Sequence, residues 1–154
     1  MDGYTVNLVE SEGPVDAITE VWTASMADFF DPAKSFATEE DAAALMADHD
    51  SFIGPYDAYA VDERVVSGGL PDGPIGARTP GVKRVSLYRA ADDVPAPPAA
   101  AVCVVDHSVL QGITPGAPPV ALIRSVWAAD ADALGPPGPD AYQVVEYRRL
   151  EPAR

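Results

Sequence analysis

Cysteine occurs once in the 154 residues, at Cys103. An internal disulfide is therefore excluded, and so is a zinc site built from several thiolates. Basic residues are scarce: Lys and Arg total 10 against 24 Asp and Glu, a formal net charge of −14. A protein that holds nucleic acid through its phosphates needs the opposite balance, so direct nucleic-acid binding is not expected. An acidic surface also repels anionic membrane. No apolar run approaches the roughly 18 residues of a membrane span. The opening MDGYTVNLVESEG lacks the basic and apolar regions of a signal peptide. The expectation is a chain that is not secreted and works in the cytoplasm, or in a virion if it derives from a phage. Lys is scarce against Arg, Asn occurs once, and Ala, Gly, Pro and Asp abound. That bias is typical of high-GC genomes such as those of actinobacteria and their phages.

Catalytic signatures are missing too. There is no G-x-S-x-G, P-loop, G-x-G-x-x-G, H-E-x-x-H or C-x-x-C. The constellations that remain are weak. Cys103, Asp106 and His107 are near in sequence. On a strand, however, Cys103 and His107 stand about 13 Å apart on one face, too far for a thiolate–imidazole pair. Cys103 is expected as a small buried core residue. Asp48, His49 and Asp50 open like a calcium loop, but Phe52, Ile53 and Tyr59 occupy positions that need a ligand, a glycine and a glutamate. The run from Asp130 fails at Ala141 in the same way. Carboxylate pairs are so common here that none stands out. No catalytic residue, metal ligand or cofactor site is nominated.

What is present is globular: 47% hydrophobic and 22% charged residues. One domain over residues 1–154 is expected, with a candidate subdomain boundary in the loop 67–81. The charge changes there. Met1 to Val66 holds 15 acidic and 2 basic residues, net −13; Ser67 to Arg154 holds 9 and 8, net −1. Pro and Gly, 16 and 12 in number, cluster as punctuation between strands.

The stretch 35–66 is the best-patterned. Thr38 with Asp41 gives an N-terminal capping signal, Glu39 to Asp41 suit the positive end of a helix, and Ala42, Leu45, Met46 and His49 recur on one face. A helix over about 39–49 follows, then a strand from Ala58. Alternation predicts further strands over 4–9, 17–25, 82–90, 99–110, 120–128 and 141–150, with 99–110 the most apolar and therefore central. Helix competes with strand from Asp16 to Phe30. The predicted fold is α+β: a mixed or antiparallel sheet with one main helix, a ββαβ first half and an all-β second half. Val21-Trp22 and Val126-Trp127 each precede an Asp-Ala-Tyr strand, which a duplicated strand pair would explain.

The functional expectation is a non-enzymatic interaction or assembly protein, such as a phage or mobile-element structural or accessory component. Its partner would be protein, chiefly further copies of itself. Interface candidates are Phe29 and Phe30 as aromatic anchors and Arg84, Arg148 and Arg149 as charges complementing the acidic half. One alternative is a small-molecule-binding or enzymatic domain with a pocket between helix and sheet, lined by Trp22, Tyr59 and His107. Another is an acidic inhibitor that mimics nucleic acid.

Overall fold

The computed structural model describes all residues except 1–2, 11–12, 30, 36, 53, 72 and 151–154. Seven strands form one sheet: β1 (Gly3–Val9), β2 (Ala17–Trp22), β3 (Tyr59–Gly68), β4 (Val82–Tyr88), β5 (Cys103–Gly112), β6 (Leu122–Ala128) and β7 (Ala141–Leu150). Their order is β2-β1-β7-β4-β6-β5-β3, and every pairing is antiparallel. The sheet curls into a half-barrel, with 41% strand and 16% helix.

The fold is thus essentially all-β, which corrects the α+β expectation. Helices α1 (Met26–Phe29), α2 (Pro32–Ser35) and α3 (Glu39–Phe52) lie in the β2–β3 connection. Helix α3 starts as its sequence predicts: the Asp41 amide donates to Thr38 Oγ1 at 3.1 Å, and that hydroxyl donates to Asp41 Oδ2 at 2.8 Å. It is not the layer that covers the sheet. Its described side chains are exposed except Ala42, which is half-buried. The side chains of Leu45, Met46 and His49 lie outside the described set. Among the described residues, no helix is long and apolar enough to cross a membrane.

The sheet supplies its own layers instead. On its outer side, Val104, Val126 and Ala128 pack with Leu134 from a 3₁₀ turn at Asp132–Leu134. Two arginines tie loops over this side. Arg124 donates to Pro95 O at 2.6 Å, and Arg84 donates to Leu134 O at 3.0 Å and Pro136 O at 3.3 Å. On the inner side, Cys103, Val105 and Trp127 pack with Leu70.

Strand β5, expected to be central, is an interior strand one place in from the edge, paired with β6 on one side and with edge strand β3 on the other. Residues Thr23 to Ser25, expected as strand, lie beyond β2, which ends at Trp22. The Val-Trp and Asp-Ala-Tyr strands do not pair in either half: β2 and β3 are opposite edges, and β4 separates β6 from β7.

Strand β1 turns its polar side inward. Thr5 and Asn7 are buried, at 2% and 0% exposure, whereas Leu8 is 46% exposed. Its apolar side faces outward and its polar side faces the trough. The reason lies in what occupies the trough.

Candidate functional site

Strand alternation sends one charged residue from each of three strands to the inner face. On β4, Lys83 shares a side with Val85 and Leu87; on β7, Glu146 shares one with Val144 and Tyr142; on β2, Glu20 shares one with Ile18 and Trp22. Register brings them together. Lys83 faces Val144 on β7, Asn7 on β1 faces Glu146, and Glu20 faces Thr5.

Lys83 Nζ donates to Glu20 Oε1 at 2.6 Å and to Glu146 Oε2 at 2.8 Å, and lies 4.4 Å from the Trp127 ring centroid. Glu146 Oε1 accepts from Thr79 Oγ1 at 2.6 Å and from Trp127 Nε1 at 3.3 Å. Thr79 arrives because the loop before β4 runs along β7, its amide donating to Glu146 O at 2.9 Å. Asn7 Nδ2 donates to Ile18 O at 2.9 Å and to Glu20 Oε1 at 3.3 Å. The Lys83 and Glu146 side chains are 1% and 3% exposed, and Glu20 is 16% exposed.

Two carboxylates against one ammonium leave this centre one negative charge in excess. Such a group is held by mutual hydrogen bonds, and removing one member leaves an uncompensated buried charge. The recess bounded by Thr79 to Lys83, Trp127, Val144 and Glu146 has essentially no free volume (≈ 0 Å³). This is a packed ionic centre, not an open pocket.

Three buried polar atoms on the same inner face lack a hydrogen-bond partner among the described residues: Asn7 Oδ1, Ser125 Oγ and His107 Nε2. Burial pushes the His107 imidazole below its usual pKa. The Lys83 charge adds to that, while Glu20, Glu63 and Asp106 pull the other way.

The residues expected from sequence are distributed as follows. Trp22 and His107 both lie on the inner face, and Trp22 Nε1 donates to Glu63 Oε2 at 2.9 Å. Tyr59 is drawn elsewhere, its hydroxyl donating to Pro118 O at 2.9 Å. Burial raises its pKa, and Asp57 adds to that. Phe29 ends α1 half-buried. Arg84 is engaged by the two loop carbonyls on the outer side. Phe30 lies outside the described residues, as do the side chains of Arg148 and Arg149. Cys103 is fully buried.

Sequence reasoning missed Lys83, Glu146, Glu20, Asn7 and Thr79. A signal existed. Glu20 is a lone charge among Ile18, Trp22 and Ala24, Lys83 precedes Val85 and Leu87 on its face, and Glu146 follows Tyr142 and Val144 on its own, with signs that are opposite. Such residues are buried only in company.

No family of known proteins matches the chain, and comparison with curated proteins and with solved structures finds no significant match.

Proposed function

We propose that the protein is a non-enzymatic assembly component that joins copies of itself through the open edge of its sheet. One observation carries this: Val61 to Gly68 of edge strand β3 are all exposed. Seven antiparallel strands leave β2 and β3 running in the same direction, so the two edges cannot close on each other in the antiparallel manner of the rest. An exposed edge presents unpaired N–H and C=O groups and is a template for another strand.

The composition of β3 favours a second copy as the occupant. In an antiparallel pair centred on Glu63, Asp62 of each copy lies opposite Arg64 of the other, and Val61 lies opposite Val65. Opposite charges and paired β-branched residues both favour such a contact. Val61 and Val65 are 38% and 41% exposed in the single chain and gain burial on pairing. The contact is two-fold, so it closes as a dimer.

Light scattering across protein concentration tests the proposal. The expected result is a dimer that Arg64→Asp weakens at least tenfold and that Asp62→Arg with Arg64→Asp in one chain restores. A chain that stays monomeric at every concentration, or a dimer indifferent to both variants, overturns it.

A further inference from the structure

The ionic centre places an amine beside a carboxamide on a shared carboxylate. Lys83 is one of two lysines and Asn7 is the only asparagine in the chain. Their side-chain nitrogens both sit on Glu20 Oε1, at 2.6 and 3.3 Å. The shared oxygen holds the two nitrogens no more than about 6 Å apart, so a modest side-chain rotation carries the amine towards the roughly 3–3.5 Å approach to Asn7 Cγ that reaction needs. Both residues are fully buried, with Asn7 at 0% and Lys83 at 2% exposure. The Trp127 ring covers the amine, and the adjoining recess leaves no room for water.

We propose that Lys83 and Asn7 join in an intramolecular isopeptide bond, with Glu20 as the proton relay. Glu20 takes one proton from the Lys83 ammonium, leaving a neutral amine and a neutral carboxylic acid. The amine attacks Asn7 Cγ, forming the Nζ–Cγ bond. The Cγ–Nδ2 bond then breaks. A second proton from Nζ and the proton held on Glu20 go to Nδ2, which leaves as ammonium, and Glu20 is again a carboxylate. One ammonium enters the reaction and one leaves it; no oxidant, reductant or further reactant is needed.

Two features of the site suit this chemistry. The same Glu20 oxygen touches the proton donor and the leaving group, so one carboxylate can act first as base and then as acid. Asn7 Oδ1 has no hydrogen-bond partner among the described residues, so no bond to them has to break before charge builds on it. The bond would tie β1 to β4 across β7, linking residues 76 positions apart in sequence.

Intact mass spectrometry of the purified, denatured 16.1 kDa chain decides the matter. Loss of ammonia lowers the mass by about 17 Da, a covalent change that denaturation does not reverse. Trypsin would then release residues 1–34 linked to residues 79–84, because an acylated Lys83 is not cleaved. Glu20→Gln should retain the full sequence mass while keeping the strand signal in circular dichroism. The wild-type measurement stands even if that variant fails to fold. A wild-type chain at full sequence mass after prolonged incubation overturns the proposal. So does a loss of about 18 Da, which would mean Lys83 condensed with a glutamate.

Discussion

Trp22 and Glu63 lie 41 positions apart on the two outermost strands, yet Trp22 Nε1 donates to Glu63 Oε2 at 2.9 Å. This contact reaches across the mouth of the half-barrel. It is solvent-exposed, so its strength is modest. Trp22→Phe keeps the apolar body and deletes the donor. It should lower stability by about 0.5–1 kcal/mol in urea denaturation. Glu63→Gln, which keeps an acceptor, should have less effect. Equal losses from the two variants would mean that the contact acts through charge and not through the hydrogen bond.

The outer face depends on a different pair. Arg124 is 7% exposed and makes two hydrogen bonds to Asp106, from Nε at 2.6 Å and from Nη2 at 2.8 Å. The bond to Asp106 raises the guanidinium pKa further. Asp106→Ala would leave that cation with the Pro95 carbonyl as its one hydrogen-bond partner among the described residues. The expected loss is about 3 kcal/mol, the scale for breaking a buried pair on one side. Arg124→Met with Asp106→Leu should recover most of it. Urea midpoints of the single and double variants are the measurement.

Element positions were legible in the sequence, but the role of each element was not. Alternation marked all seven strands, and the Thr38–Asp41 pair marked the start of α3. The layer assignment failed because periodicity reports that a face exists, not what covers it. In α3 the described side chains other than Ala42 remain exposed. In β1 the alternation marks two faces, and it is the polar one that is inside: Asn7 is buried and Leu8 is exposed. That inversion follows from Glu146 and Lys83, whose partners arrive from strands far apart in sequence. The site was hidden for the same reason. Lys83 lies 63 positions from both Glu20 and Glu146, and only the register of a finished sheet joins them.

Gly81 opens β4 at a place no other residue fits. Its φ is +80°, and a Cβ there would lie 2.3 Å from Ala128 O. The strain and the backbone clash act together, because the carbonyl belongs to the neighbouring strand and cannot swing aside as a side chain would. Gly81→Ala should destabilise the fold by about 2 kcal/mol or more. Gly116 has a similar φ of +82° but open space around it. Gly116→Ala should therefore cost only the conformational part, about 1 kcal/mol. Thermal or urea unfolding of the two variants separates strain from clash.

His107 sets a pH dependence whose sign follows from its burial. It is 7% exposed, Nε2 has no partner, and its pKa is lowered, chiefly by burial. Above the unfolded value of about 6.5, neither state protonates the ring and no penalty arises. Below it, the unfolded chain binds a proton that the folded chain refuses, so stability falls as pH drops towards the folded pKa. The unfolded state binds more protons throughout that window, which makes stability rise with pH. His107→Gln removes this titration and leaves the other groups in place. Urea midpoints measured from pH 7.5 down to 5.0 should fall more steeply for the wild type than for the variant. Parallel curves would mean that the folded ring takes up its proton freely, and that the trough admits water to His107.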